Sequence, residues 1–218
     1  MSEEELSVFV SFEGIDGCGK STQIELFTKY LKANNIDFVK VREPGGTQLG
    51  EKIRNILINE HMCSRSELLL FLASRAQLVE EVIKPALKER KVVIADRFAH
   101  SSVAYQGCGR ELGSETVKML NDFAIDNIYP DVVFFIDVPV DMALERLNNQ
   151  NKDRIEKEGK EFFEKIRNCY IDLSKTDKSF VVIDGTKTIE DINMIIIDTF
   201  EKYLSNFRNL RSSSYTSL

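Results

Sequence analysis

Eight residues near the amino terminus have the types and the spacing that phosphate binding requires. The segment Gly14-Ile15-Asp16-Gly17-Cys18-Gly19-Lys20-Ser21 fits the pattern of glycine, four residues, then Gly-Lys-Ser. Glycines allow successive backbone N–H groups to turn inward around an anion, and a helix that starts at the lysine adds its positive end. Lys20 can reach the outer phosphates, and the hydroxyl of Ser21 can join the ligands of a Mg²⁺ ion. The segment therefore predicts a site for the phosphates of a nucleotide.

The neighbouring residues predict the elements that would hold this loop in place. Residues 8–12 are apolar, β-branched or aromatic except for one serine, which favours a buried strand. After the loop, Ile24, Phe27 and Leu31 recur at helical spacing. Strand, glycine loop and helix, in this order, are the setting that a phosphate-binding loop needs.

Further apolar strands alternate with helices along the chain. Strands are predicted at 37–42, 91–95, 132–138 and 180–183, and helices at 47–60, 66–89, 140–147, 162–173 and 189–204, with Pro85 bending or dividing the second helix. This alternation predicts an α/β fold, a three-layer sandwich in which helices cover both faces of a central parallel sheet. One domain is expected over residues 1–204, followed by a flexible tail at 205–218.

Polar side chains follow three of the predicted strands. The glycine loop follows the first strand, Arg42 ends the second, and Asp96-Arg97 follows the third. Because ligands of such sheets gather at the carboxyl ends of the strands, these three segments are expected to meet in one cleft. Asp96 is suited to ordering the water shell of Mg²⁺, and Arg97 to holding a phosphate. The alternatives are an ordinary acidic strand end and a structural salt bridge.

Composition narrows the class of protein. The chain has 218 residues and a formal net charge of −6, so attraction of the whole molecule to nucleic acid or to an anionic membrane is not expected. The longest apolar runs are too short to cross a membrane, and the first residues do not resemble a signal peptide. The four cysteines are scattered without zinc-ligand spacing, which favours a reducing, cytoplasmic location.

A charged segment at residues 149–161 has two interpretations. It contains seven charged residues between 152 and 160 and few apolar anchors, which is typical of a solvated loop. Its position between two predicted helices also suits a mobile lid. Such a lid would exclude water and bring an arginine to the transferring phosphates.

Five segments together resemble those of bacterial thymidylate kinases, P-loop enzymes that pass a phosphoryl group from ATP to dTMP. The resemblance rests on Phe-Glu-Gly-Ile-Asp-Gly-Cys-Gly-Lys-Ser-Thr at 12–22, Arg-Glu-Pro-Gly-Gly-Thr at 42–47, Asp-Arg-Phe at 96–98, Ala-Tyr-Gln-Gly at 104–107 and Asp-Arg-Ile-Glu at 153–156. It implies a P-loop kinase fold with a short lid, Mg²⁺ as the cofactor of ATP, a homodimer, and no nucleic-acid or membrane partner.

The resemblance also implies residue roles. ATP would contact Gly14, Ile15, Asp16, Gly17, Cys18, Gly19, Lys20, Ser21 and Thr22. Ser21 and Asp96 would form the protein side of the metal site. The acceptor would contact Arg42, Glu43, Arg54, Phe71, Arg75, Arg97, Ser102, Tyr105 and Gln106. The catalytic set would be Asp16, Lys20, Arg97 and Arg154.

Three of these roles carry a structural expectation. Phe71 would stack on the thymine ring and Arg75, on the same helix face, would reach its carbonyl edge. From its apolar surroundings alone, Phe71 would instead be a core residue. Asp16 would face the sugar 3′-hydroxyl or nearby cations. Some relatives carry an arginine in the phosphate loop; this chain has Cys18 there, so Arg154 of the lid would supply the missing charge.

Two alternatives stay open at this stage. One is a P-loop kinase that acts on another nucleoside monophosphate or on a deoxynucleoside. The other is a nucleotide-binding module without transfer chemistry, such as a switch-type GTPase.

Overall fold

A computed structural model of the chain describes residues 7–147 and 154–214, with side chains described up to residue 206. In these residues five parallel strands form one sheet with the order β2-β3-β1-β4-β5. The strands are β1 (Val8–Glu13), β2 (Phe38–Arg42), β3 (Val92–Asp96), β4 (Val132–Asp137) and β5 (Phe180–Asp184).

Helices connect the strands and cover both faces of the sheet. They are α1 (Lys20–Ala33), α2 (Gln48–Asn59), α3 (Ser64–Leu78), α4 (Lys84–Lys88), α5 (Ala99–Ser102), α6 (Ser114–Ile125), α7 (Val140–Leu147), α8 (Lys160–Thr176) and α9 (Ile189–Ser214). Two π-helical segments, Val79–Ile83 and Val103–Gly109, continue α3 and α5.

Side chains of β1 alternate between the two faces of the sheet, which separates a hydrophobic core on one face from a core on the other. Val8, Val10 and Phe12 lie on one face and pack with the apolar sides of α1 and α9. Phe9 lies on the opposite face and contacts Phe98 in a second core that includes the first π-helical segment. The predicted three-layer α/β architecture is confirmed.

The sheet brings the predicted functional loops together because β3 lies between β1 and β2. Asp96 at the end of β3 is in register with Phe12 of β1 and with Arg42 of β2. All strands are parallel, so the segments that follow these three residues emerge side by side. The expected convergence at one edge of the sheet is confirmed.

The helix predicted over residues 66–89 is interrupted before Pro85. It begins at Ser64 as α3, becomes π-helical at Val79–Ile83 and resumes as α4. Proline lacks a backbone N–H and its ring crowds the carbonyl four residues earlier, so the regular hydrogen-bond pattern cannot continue through it. The division was expected, but its π-helical form was not.

Other features differ from the sequence-based expectations. Helix α9 continues to Ser214, ten residues beyond the predicted end at 204, and the last four residues of the expected tail lie outside the described residues. The first part of the predicted lid, 149–153, also lies outside them. A disulfide joins Cys108 to Cys169, although the scattered cysteines had favoured a reducing location. No described helix has the length and apolar character needed to span a membrane.

Candidate active site

The phosphate loop packs tightly against its surroundings at glycine positions. Gly14 and Gly17 have φ values of 139° and 80°, in the region that favours glycine. A Cβ atom on Gly17 would lie 2.4 Å from the carbonyl oxygen of Ala143 in α7. One on Gly14 would lie 2.7 Å from the carbonyl oxygen of Ile136 in β4. These contacts require glycine and fix the loop above the end of the sheet.

Lys20 begins α1 and folds its side chain over the loop. Its Nζ donates to the carbonyl oxygens of Gly14 at 3.1 Å and Ile15 at 3.0 Å. The side chain is largely buried, yet it lines the central cavity. An ammonium held in this position sets a positive charge where an anion would meet the loop and the start of α1.

One cavity of about 450 Å³ extends from the phosphate loop to the helices behind it. This volume lies within the range of small-molecule sites. Most of the predicted site residues line it: Asp16, Gly17, Gly19, Lys20, Ser21, Thr22, Arg42, Glu43, Arg54, Phe71, Arg75, Asp96, Arg97, Ser102, Tyr105 and Gln106. Gly14, Ile15, Cys18 and Arg154 are not part of its wall.

Arg97, Asp16 and Tyr105 form a hydrogen-bonded group in the middle of the cavity. Arg97 Nη2 donates to Asp16 Oδ1 at 2.5 Å and to the hydroxyl of Tyr105 at 2.9 Å. That hydroxyl donates to Asp16 Oδ2 at 2.8 Å. Arg97 thus provides the cationic partner that the sequence analysis expected for Asp16.

The electrostatics of this group keep Asp16 charged. Burial acts to raise the pKa of Asp16, but Arg97, Lys20 and the hydrogen bond from Tyr105 outweigh it and lower that pKa. Burial raises the pKa of Tyr105 well above its ordinary value, against the opposing charge of Arg97. The phenol therefore keeps its proton and acts as the donor to the carboxylate.

Arg75 is an anchor of the cavity wall. Its Nε donates to Glu43 at 2.8 Å, its Nη1 to Ser102 at 2.9 Å and to Asn121 at 2.6 Å. Its Nη2 donates to Glu43 at 2.5 Å and to the carbonyl of Phe98 at 3.1 Å. All five N–H groups are engaged, so contact with a base would require one of these bonds to be exchanged.

Two other predicted arginines lie at the rim on β2 and α2. Arg42 is half exposed and donates to Glu51 at 2.8 Å and to the carbonyl of Pro44 at 3.1 Å. Arg54 donates to the same Pro44 carbonyl at 3.0 Å. The two guanidinium groups are therefore held near each other by one backbone oxygen.

The lid arginine lies outside the cavity. Arg154 Nη2 is 2.7 Å from the carboxylate of Glu67, and its Nε donates to the carbonyl of Leu57 at 3.1 Å. Glu67 is buried and also accepts from Gln106 at 3.0 Å and from Arg110 at 3.2 Å. Burial acts to raise the pKa of Glu67, but these hydrogen bonds and charges lower it.

Ser21 and Asp96 fit a magnesium site by the chemistry of their donors. Both present oxygen atoms to the cavity, one from the start of α1 and one from the end of β3. Magnesium prefers oxygen ligands and keeps several of its waters, so it needs few protein ligands when a nucleotide supplies phosphate oxygens. The described residues contain no cluster of three or more His, Cys, Asp or Glu side chains that would form a separate metal site.

Sequence reasoning missed several residues of this site. Arg146 lines the cavity and donates to the carbonyl of Gly17 at 3.2 Å. Asn121, Glu67 and Ser101 support cavity residues through hydrogen bonds. Gly17 was the one available signal in the sequence, because a glycine can mark a place where another backbone approaches closely, as α7 does here.

Comparisons with known proteins agree with this geometry. The family model described as thymidylate kinase matches residues 12–196. A thymidylate kinase of Fervidobacterium nodosum is 71% identical over 90% of this chain and 100% of its own length. One of Thermosipho africanus is 58% identical over 91% and 100%. The crystal structure of a thymidylate kinase from Ehrlichia chaffeensis, 37% identical, superposes with a TM-score of 0.72 over 89% of this chain and 99% of that one. The chain therefore belongs to the thymidylate kinase family.

Proposed function

We propose that the chain transfers the γ-phosphoryl group of ATP to dTMP, which gives dTDP and ADP for dTTP synthesis. Family membership supports this activity. The observation that carries it is that the phosphate loop, a central arginine and an aromatic wall face one shared cavity. A nucleotide-binding module without transfer chemistry would not need an acceptor pocket beside its phosphate loop.

The donor and the acceptor occupy opposite ends of that cavity in this proposal. The loop amides and Lys20 bind the phosphates of ATP, and Arg146 lies beside them against Gly17. Phe71 is half-buried on the far wall, where a base can stack on its ring. Tyr105, Gln106 and Ser102 complete that wall near Glu43 and Arg75.

Catalysis consists of alignment and charge compensation. The attacking oxygen belongs to a phosphate that is already ionised near neutral pH, so no strong general base is needed. Arg97 lies between the loop and the aromatic wall, where it can contact the acceptor phosphate, with Arg42 and Arg54 at the rim. Fixed positive charge at the transferring phosphoryl group is the main source of rate enhancement in such reactions.

Arg154 must leave its resting position to take part in this chemistry. Its contacts with Glu67 and Leu57 hold it outside the cavity, whereas its neighbours Ile155 and Glu156 line the cavity wall. We propose that closure of the lid exchanges the Glu67 contact for the phosphates of ATP. The cost of leaving a largely buried carboxylate would then be offset by contact with a more highly charged anion.

Mg²⁺ is the proposed cofactor, with Ser21 and Asp96 as its protein-side groups. When bound with ATP it would neutralise phosphate charge. Ser21, at the start of α1, presents a hydroxyl to the ion. Asp96, at the end of β3, presents a carboxylate that can order the water molecules around the ion. We also propose a cytoplasmic location, where ATP and nucleoside monophosphates are available.

A homodimer is proposed from apolar side chains that are exposed on adjacent helices. The most exposed are Phe123 at 90% and Met119 at 63% on α6, and Leu69 at 59% on α3, with Leu49 and Ile56 of α2 nearby in the fold. Contiguous apolar surface of this kind marks an association site. A second copy that presents the same helices would cover it with matching chemistry.

An acceptor panel tests the proposed function. ADP release is followed by a coupled assay with ATP, Mg²⁺ and, in turn, dTMP, dUMP, dCMP, dGMP, dAMP and thymidine. We expect dTMP to be the preferred acceptor, with loss of activity in Lys20→Met as the matched control for the phosphate loop. Preference for another acceptor would favour the related-kinase alternative, and ADP release independent of any acceptor would favour the nucleotide-binding module.

A further inference from the structure

Glu13 is a fully buried carboxylate just before the phosphate loop that does not line the cavity. It is the last residue of β1 and lies on the same sheet face as Phe9. Its Oε1 accepts from the backbone N–H of Phe98 at 2.8 Å. Its Oε2 accepts from the hydroxyl of Ser101 at 2.6 Å and from that of Tyr170 at 2.8 Å. A buried charge with this many donors is costly to replace.

The bond from Phe98 to Glu13 lies next to Arg97 in the chain and bears on its backbone conformation. The backbone of Arg97 has φ 70°, a left-handed conformation that is unfavourable for a residue with a Cβ. The peptide groups on both sides of it are tied down, since Arg97 N donates to Phe12 O at 3.1 Å and Phe98 N donates to Glu13. The left-handed turn thus depends on hydrogen bonds that two consecutive residues of β1, Phe12 and Glu13, accept.

Glu13 also reaches the side chain of Arg97 through one hydroxyl. Ser101 donates to Glu13 and accepts from Arg97 Nη1 at 3.2 Å. The same Nη1 donates to the carbonyl of Gly14 at 2.8 Å. Glu13 is therefore connected to the peptide group that follows Arg97, through the amide of Phe98, and to the guanidinium of Arg97, through Ser101.

We propose that Glu13 is a positioning residue for phosphoryl transfer, which sets the backbone and the guanidinium of Arg97 opposite the phosphate loop. The inference rests on the proposed function, in which Arg97 contacts the acceptor phosphate. Glu13 itself touches neither nucleotide, because its oxygens are occupied and it lies behind the cavity wall. A carboxylate is needed since it accepts from three donors, whereas a glutamine would turn an NH₂ group toward the two hydroxyls.

A double-mutant cycle with Glu13→Gln and Arg97→Lys tests the proposal. We expect Glu13→Gln alone to lower kcat for dTMP about tenfold or more, and to change it less than about threefold when Arg97 is already lysine. Tyr170→Phe is the matched control, since it removes one donor to Glu13, together with the 2.8 Å contact between Tyr170 and Ser101, but leaves the bonds that Phe98 and Ser101 donate to Glu13. It should change kcat less than about threefold. An equal effect of Glu13→Gln in both backgrounds would overturn the proposal.

A second measurement tests the positioning role of Glu13 without any nucleotide acceptor. Hydrogen exchange of the Phe98 amide should be about fivefold faster or more in Glu13→Gln than in the wild type, because a neutral amide oxygen is a weaker acceptor. Unchanged exchange would overturn the positioning role. If the wild type does not phosphorylate dTMP, the proposed function fails, and the exchange result still decides whether Glu13 holds this turn.

Discussion

Replacing Gly17 by alanine should destabilise the protein far more than the same change at Gly19. Both residues have positive φ, 80° and 101°, so each substitution carries a conformational penalty of about 1–2 kcal/mol. At Gly17 the new Cβ would also lie 2.4 Å from a backbone oxygen of α7, whereas at Gly19 it would meet nothing within 4 Å. Crowding of this kind adds about 1–3 kcal/mol, since neither the loop nor the helix backbone can rotate away.

The expected losses in unfolding free energy are therefore about 2–5 kcal/mol for Gly17→Ala and about 1–2 kcal/mol for Gly19→Ala. Urea denaturation of the two variants and the wild type measures both. Gly159→Ala is a control outside the loop, with negative φ and open space, and should be within about 1 kcal/mol of the wild type. Equal losses at Gly17 and Gly19 would refute the argument that contact with α7 fixes the loop.

Three further results are expected. Arg154→Ala should lower turnover about tenfold or more while dTMP affinity, measured by calorimetry, changes little; near-normal turnover would contradict the lid assignment. Phe123→Glu should convert a dimer into a monomer in sedimentation, and an unchanged mass would remove this face from the interface. The hydrogen bond with His100 lowers the pKa of Asp177, so its stabilisation is fully present above the unfolded pKa of about 4 and is lost progressively as pH falls from there through the lowered folded pKa. Asp177→Asn should therefore reduce the unfolding free energy at pH 7, and by progressively less as pH falls below about 4; a deficit independent of pH would contradict this.

The sheet was predictable because its signals are local. The apolar runs of β1 and β3 are short and bounded by polar or glycine residues, and their predicted bounds differ from the observed ones by at most one residue. Helix α6 was not predicted, because two of its large apolar residues, Met119 and Phe123, face outward and obscure the periodic stripe. With α6 unassigned, nothing could indicate that Asn121 would meet Arg75.

The sequence predicted most of the residues that line the site, but not which of their charged side chains contact each other. Most predicted residues line one cavity, since the motif and the strand ends fix the positions of their backbones. The partners of the charged groups depend on contacts between distant segments, such as Arg75 with Glu43 and Arg154 with Glu67. Periodicity and motif spacing carry no information about such pairs. The resting position of Arg154 outside the cavity is the clearest example.

The most direct test is a crystal structure with dTMP, Mg²⁺ and a non-hydrolysable ATP analogue. We expect the triphosphate on the loop around Lys20, the thymine ring against Phe71, and the monophosphate in contact with Arg97. A vacant phosphate loop, or dTMP bound outside this cavity, would contradict it.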